Sequence, residues 1–493
     1  MSDSKNITMK SMKRHILTIT ILGLMAGAFS SCSEYFTPGT DDLQSEQDNF
    51  KNYNTSRATV NGLYTQLQDL MDPYVVLGEL RGDMLTVSSQ AGEDLQAIHQ
   101  MEYSPDNDYF PRREAFQLIS GCNDVLGHFS ELLEKGTTYD EKIRHMRAEV
   151  KVMRAWTYFF LMRTYQQVPY ITSDYAEANA GEPFEDWLAS QGSDPATIDK
   201  LIGSVEGGIQ DFDPTRVNKP GFFNLASGYA LLGELYLWDN QYNQAAVALE
   251  KAIGVGNGER FILDADLEEE SWGNIFKGDE TANDEIMTKV LFNKGEKQEN
   301  QLLTLFSSIA PNGKQLIPAD DVEDIFQSDY RRAVTFYDEN AEVSKYTRNR
   351  EHGYQSDMPV ILYRAADLHL MLAEAYNRMH DFDTALELVN NGCDSLFTPA
   401  SKGVRGRLDL GGISVDGSTD QEKMLDLEEK ILQERARELA YEGKRWFDIL
   451  RIAERRSAPS MMVERMKDKY PEESHAEVES FYQDPSNWYL PLK

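Results

Sequence analysis

The chain has 493 residues, and length alone suggests two or three domains; its 41% apolar share with 11% aromatics is ample for a large core. It is strongly acidic, with 82 Asp and Glu against 49 Lys and Arg and a net charge of −33. That balance excludes nucleic acid as a partner, because phosphate backbones are held by clustered Lys and Arg.

In chain order, Lys13 and Arg14 precede an apolar run from Ile16 to Phe29, followed by Ser30, Ser31 and Cys32. A basic start, a short apolar stretch and small residues before a break predict a secretory signal over residues 1–31. The run is too short for a lasting membrane span. The order Ser–Ser–Cys resembles the processing site of bacterial lipoproteins, which implies lipidation of Cys32 and a membrane anchor. Lys5, Lys10, Lys13 and Arg14 stand against Asp3 in the signal, so its removal leaves −36 instead of −33. Only Cys122 and Cys393 then remain, which excludes a disulfide framework or a thiolate metal site.

Residues 32–53 are polar and acidic and read as a tether. From Asn54, Val60, Leu63, Tyr64, Leu67 and Leu70 recur at helical spacing until Asp72–Pro73. Residues 74–108 mix Gly78, Gly82, Gly92 and Pro105 and predict an irregular excursion, with Arg81–Gly82–Asp83 as a turn. A helix follows from Phe116 to about Leu133. A longer one, Glu141–Tyr165, is apolar nearly all round in its second half and stops at Val168–Pro169.

Two tetratricopeptide-type repeats come next. Tyr229, Leu232, Gly233, Tyr236, Ala245, Leu249 and Ala252 fit the template. His369, Leu372, Ala373, Tyr376, Ala385, Val389 and Gly392 repeat it. Small Gly233 and Ala245 let paired helices approach, while Tyr236 fills the angle between them. His369 and His380 lack metal spacing and read as structural. Between the repeats, residues 260–355 lose helical periodicity, and such insertions map to one side of a solenoid.

Near the end, ILQERARELAYEGKRWFDILR (Ile431–Arg451) predicts an amphipathic helix, a Gly443 C-cap and a second short helix. Arg435, Glu438, Glu442 and Arg445 sit beside large aromatics and predict a partly buried, paired network, since unpaired buried charge is costly. This run resembles the C-terminal signature of the SusD/RagB family. RAEVKVMRAWTYFFLMRTYQQVPYI is similar to the family's long helix, and Phe116, Ile119 and Asn123 match its upstream spacing, with Arg112 where the family has Trp. The Arg364–Asn377 run and the closing Tyr489–Leu490–Pro491 also resemble family segments.

The resemblance spans residues 54–493 as a single SusD-like domain. It implies an all-α fold, a tetratricopeptide-repeat core of about eight helices with irregular ligand-binding excursions at 74–108 and 260–355. It also implies an outer-membrane, lipid-anchored protein facing the cell exterior, with a SusC-like TonB-dependent transporter as partner.

No catalytic constellation is legible: no H-E-x-x-H, nucleophile elbow or phosphate loop occurs, and no cofactor or metal is expected. Asp264, Asp266 and Glu268 alternate like calcium ligands, but the turn Gly and distal Glu are misplaced. Aromatic rings offer sugars contact area at low ordering cost. Tyr74, Tyr103, Tyr109, Trp272 and Tyr354 are therefore expected as stacking platforms, with Arg81 and Asn107 as polar contacts. The expected ligand is an oligosaccharide. A peptide ligand, a surface glycan-processing enzyme and a plain repeat scaffold for protein partners are the alternatives.

Overall fold

The structure is a computed structural model that describes residues 50–172, 183–192, 194–216, 219–254, 261–263, 267, 269–276, 285–308, 310, 313–320, 322–326, 329–331, 335–337, 342–347, 356–397 and 401–492. The expected signal, Cys32, most of the tether, Tyr354 and the Asp264–Asp266–Glu268 pattern lie outside those residues. The chain divides into two units, Met1–Thr59 and Val60–Lys493. Of the first, residues 50–59 are described and hold the start of helix α1 (Tyr53–Gln68).

The second unit continues through α2 (Met71–Glu79), strand β1 (Leu85–Val87) and α3 (Glu93–His99). Then come α4 (Arg112–Lys135), α5 (Asp140–Tyr165), α6 (Phe184–Ser190) and α7 (Ile198–Ile209). The first repeat is α8 (Leu225–Trp238) with α9 (Tyr242–Gly254). The insertion holds α10 (Glu269–Asn274), β2 (Ile286–Val290), α11 (Leu302–Phe306), β3 (Leu316–Pro318), α12 (Val322–Phe326), β4 (Phe336–Tyr337) and β5 (Glu342–Val343). Strand β6 (Val360–Arg364) leads into the second repeat, α13 (Ala365–Arg378) and α14 (Phe382–Val389). The chain closes with α15 (Asp420–Glu438), α16 (Arg445–Arg456), α17 (Pro459–Lys467) and α18 (His475–Tyr482).

Helices α4, α5, α7, α8, α9 and α13 pack one on the next, and α14 and α15 close the series against α13. Ten further helices among the described residues lie outside that series: α1, α2, α3 and α6 in the first half of the chain, α10–α12 in the insertion and α16–α18 at the C-terminal end, so the helices outnumber the eight expected. The expectation of an all-α protein holds for this core; among the described residues three two-stranded antiparallel ribbons are added to it, β1–β3, β2–β6 and β4–β5. Leu85 pairs with Pro318 and Val290 with Val360, so each of these two ribbons staples part of the insertion to a distant segment.

The repeat contacts follow from residue size. A Cβ on Gly233 would lie 2.6 Å from the Leu249 side chain, so only glycine admits the α8–α9 approach. Tyr236 donates to Glu206 of α7 at 2.9 Å, and Tyr376, at the same repeat position, donates to Glu250 of α9 at 2.6 Å. In both repeats the tyrosine ties its helix to the one before. His369 is buried, with one ring nitrogen 2.8 Å from the Ala365 carbonyl and the other 2.8 Å from Ser401 Oγ. Burial holds its pKa down to about 4, so it is neutral and structural.

The C-terminal run differs from expectation in two respects. Gly443 has a positive φ of 79° but does not cap α15, which ends at Glu438; it sits in the turn before α16. A side chain there would strike the Tyr74 ring at 2.6 Å, and one on Gly78 would strike the Gly443 carbonyl at 2.2 Å, so α2 and this turn meet through two glycines. The four expected charges are fully buried and pair outward rather than with one another. Arg435 reaches Asp448 at 2.7 Å, Arg445 reaches Asp83 at 2.6 Å, and Glu438 and Glu442 both take Arg364, at 2.6 and 2.9 Å. Arg112, at the family's Trp position, is also buried, with Glu185 at 2.9 Å and the Pro105 carbonyl at 3.0 Å as partners.

Trp446 is fully buried, with the Arg81 guanidinium 4.2 Å above its ring. Chemical denaturation of Trp446→Ala should show a loss of about 3–5 kcal/mol, as for other buried aromatics. A loss under about 1 kcal/mol would contradict its burial.

Candidate functional site: an acidic groove at the insertions

The seven sequence-nominated contacts do not form one site. Tyr74 lies in α2, 1% exposed, packed by Trp156, Phe160 and Phe447. Trp272 is fully buried and its indole N–H donates to Glu438 at 3.1 Å. Neither ring presents a face to a ligand, because each belongs to the core. Arg81 is also buried, its guanidinium between the Trp446 and Tyr103 rings and its Nη2 on the Trp488 carbonyl at 2.5 Å. Tyr103 is half-buried, edge-on to Phe110 and Phe481. Tyr354 falls outside the described residues.

Tyr109 and Asn107 remain, and they act together. Asn107 is buried; its amide nitrogen donates to the Asp94 carbonyl at 2.9 Å, while its side-chain oxygen accepts from the Tyr109 N–H at 3.0 Å. That Asx-type bond fixes the loop and half-exposes the Tyr109 ring. Asn107 is thus a support beneath the surface rather than a direct contact.

Tyr109 lines an open groove of about 730 Å³. This size falls in the ordinary range for small-ligand sites, about 300–1,000 Å³. Its walls come from the end of α1, the start of α2, residues 92–94 and 108–117, and the loop 297–301. Both irregular excursions therefore contribute. The lining is polar: Asp69, Asp72, Glu93, Asp94, Asp108, Glu114 and Glu299 face one cation, Lys297, with Gln68, Gln117, Gln298 and Gln301 as neutral hydrogen-bonding groups. Asp72, at the start of α2, ties that helix to the second excursion, accepting from the Gln301 N–H at 3.1 and 3.0 Å.

Crowding of carboxylates has an electrostatic consequence. Burial, with the Asp69 charge adding to it, raises Asp72 from 3.8 to about 6; the Gln301 N–H opposes the shift. Asp69 is raised too, by burial and Glu114. Burial and the neighbouring Asp72, Asp94 and Asp108 charges raise Tyr109, which keeps its hydroxyl neutral at physiological pH. Among the described residues no group of three or more His, Cys, Asp or Glu is arranged to hold a metal ion.

Sequence reasoning missed the carboxylate and glutamine walls of this groove. They come from separate segments, each polar in an ordinary way, and no local pattern marks them. Half-buried Asp72 and the pairing of Gln301 with it are tertiary facts.

The architecture defines a class first: a tetratricopeptide-type helical-repeat protein whose long insertions build an open, polar groove. A family model described as the SusD family matches residues 313–493, and one described as "Starch-binding associating with outer membrane" matches residues 42–201. The chain belongs to the SusD/RagB family. It is 23% identical to SusD-like protein P38 of Formosa agariphila, over 90% of this chain and 92% of that one. Among solved structures it resembles a laminarin-binding SusD-like protein, at 18% identity and a TM-score of 0.65 over 90% of this chain and 96% of that one. A SusD superfamily protein from Bacteroides thetaiotaomicron gives 19% identity and a TM-score of 0.65 over 91% and 96% of the two chains.

The raised Asp72 gives a pH test. A carboxylate whose folded pKa lies above its unfolded value costs stability once ionised, and the cost opens between pH 3.8 and about 6. Asp72→Asn should therefore melt like the wild type near pH 3.5 and above it at pH 7.5. A variant less stable at pH 7.5 would show that the Gln301 bond outweighs desolvation.

Proposed function

We propose that the protein captures an extracellular oligosaccharide in the Tyr109 groove and passes it to a TonB-dependent transporter. The observation carrying this reading is the groove itself: a ligand-sized channel with a half-exposed ring and amide side chains, bordered by the insertions of a SusD/RagB fold. Support for a sugar comes from relatives. One similar structure is described as laminarin-binding, another, from Bacteroides vulgatus, as a SusD-like carbohydrate-binding protein. The family description of outer-membrane association, with the signal-like start and Ser–Ser–Cys order, supports a Cys32 lipid anchor and exposure on the outer face.

In this reading Tyr109 stacks on the apolar face of a sugar ring, and Gln117, Gln298 and Gln301 exchange hydrogen bonds with hydroxyls. Seven carboxylates against one lysine repel uronate or sulfated chains, so the ligand is uncharged or basic. The same walls suit a Lys- or Arg-rich peptide, which is the second reading.

Calorimetry of the mature chain against neutral, uronate-containing and amino-sugar oligosaccharides and basic peptides distinguishes these ligands. Neutral glycans should bind in the millimolar to micromolar range, on the order of −4 to −8 kcal/mol. Tyr109→Ala should cost about 1–3 kcal/mol, by analogy with other stacked flat ligands. Binding confined to basic peptides would replace the ligand while keeping capture; bond cleavage in any glycan would overturn capture in favour of catalysis. For the anchor, Cys32→Ala should release soluble protein or leave uncleaved precursor, and unchanged membrane retention with normal processing would contradict lipidation.

A further inference from the structure

Buried carboxylates elsewhere in the chain are paired. Glu285, Asp367, Glu374, Glu434 and Glu438 each meet a guanidinium at 2.6 to 2.9 Å. The groove departs from that pattern. None of the seven carboxylates in its lining has an ion-pair partner among the described residues, and neither has Lys297. Seven carboxylates against one ammonium leave six negative charges uncompensated in one open space of about 730 Å³.

Those charges act as a group. Beside the effect of burial, Glu114 acts on Asp69, Asp69 acts on Asp72, and Asp72, Asp94 and Asp108 act on the Tyr109 hydroxyl. The carboxylates therefore share a field around the half-exposed ring. A recess lined by one sign of charge focuses its field and concentrates ions of the opposite sign. Like charges crowded without counter-ions cost stability, and functional clefts are where such crowding recurs.

The cation of the lining is held apart from them. Lys297, with a φ of 62°, lies at the tip of a hairpin closed by two Asn293–Gln298 backbone hydrogen bonds of 3.0 Å. The Gln298 amide nitrogen reaches Thr65 Oγ1 of α1 at 3.5 Å. This turn is anchored, yet the exposed Lys297 ammonium meets no carboxylate. An ammonium carried by a ligand has no internal rival to displace.

Volume, ring and amide side chains make the groove a sugar site; its charges select among sugars. Resting on that reading, we propose that the ligand is an oligosaccharide with free amino groups, a glucosamine-type chain. One ring stacks on Tyr109 while the ammonium groups meet Asp69, Asp72, Asp108 and Glu114. Hydroxyls remain for Gln117, Gln298 and Gln301. A neutral chain keeps the stacking and the amide contacts but lacks the ionic ones. A basic peptide has the charge but lacks the flat sugar face that suits Tyr109.

Calorimetry of the mature chain compares cellotetraose with the fully deacetylated chitosan tetramer, which has an ammonium where the other has a hydroxyl. In dilute salt the amino tetramer should bind about tenfold tighter or more. Between about 0.01 and about 1 M salt, as the screening length shrinks from about 30 to about 3 Å, that preference should fade. Combining Asp69→Asn with Glu114→Gln should reduce the preference, and Lys297→Gln should raise it. None of these three side chains holds a hydrogen bond among the described residues, so the substitutions should leave the fold intact, which melting curves check. A gain of affinity in Lys297→Gln, moreover, is not a result of damage. Equal affinity for the two tetramers would overturn the proposal and leave oligosaccharide capture standing. So would a preference that survives the Asp69 and Glu114 substitutions unchanged, since its source would lie outside the groove. Trilysine binding as tightly as the amino tetramer, with cellotetraose unbound, would overturn both readings in favour of a peptide. Absence of binding by all three up to about 10 mM would overturn both as well.

Discussion

One buried carboxylate, Glu438 at the end of α15, holds three arginines and an indole. Its oxygens accept from Arg364 at 2.6 Å, Arg407 at 2.8 Å, Arg331 at 2.8 Å and Trp272 at 3.1 Å. The guanidinium charges hold Glu438 ionised, well below the usual carboxylate range, against the penalty of its burial. Glu434, Glu442 and Glu285 complete the pairing: Arg331 also meets Glu434 at 2.8 Å, and Arg364 meets Glu442 at 2.9 Å and Glu285 at 2.7 Å. Buried pairs of this kind add little over a well-packed apolar core, but removing one partner strands the others at about 3–5 kcal/mol. They specify which segments meet more than they raise overall stability.

Those segments lie behind one edge of the groove. Trp272 and Arg331 belong to the insertion, Arg364 ends β6, and Arg407 lies in a short 3-10 turn at Gly406–Leu408. Through β6, the network holds β2, which leads to the loop 297–301 at the groove's edge. On the opposite wall Glu79, at the end of α2, accepts backbone N–H groups of Tyr441 and Lys444 at 3.1 and 2.8 Å. The α15–α16 turn thereby fixes both walls, and Asp72–Gln301 joins them at the surface. A groove assembled from irregular segments needs such an internal clamp, since short ribbons and five-residue helices are not stable alone.

How much of this was legible depends on range. Charges beside aromatics in Ile431–Arg451 announce burial, so the network could be foreseen there; its partners sit up to 362 positions away and could not be named. The repeats were legible because their residue sizes encode a local contact, Gly233 against Leu249. Tyr74 was misplaced because Asp72–Pro73 looks like a break. Pro73 instead lies in the first turn of a buried helix, where its missing N–H costs nothing. Trp272 was misplaced because a non-periodic stretch looked like surface, whereas its indole is a strut of the Glu438 cluster. Tyr109 lies at the groove as its place in an irregular excursion suggests, whereas Asn107, expected as a contact, sits beneath it through a hydrogen bond between neighbours that the sequence does not announce.

Hydrogen exchange on Glu438→Gln, read alongside glycan affinity, tests most directly whether the clamp holds the groove. The substitution keeps the shape and removes the charge that three arginines share. The expected result is lost protection at residues 285–290, 297–301 and 342–347 together with weakened glycan binding, while α4, α5 and α7–α9 stay protected. Uniform loss of protection across the repeat helices, or full affinity with the insertion deprotected, would contradict it.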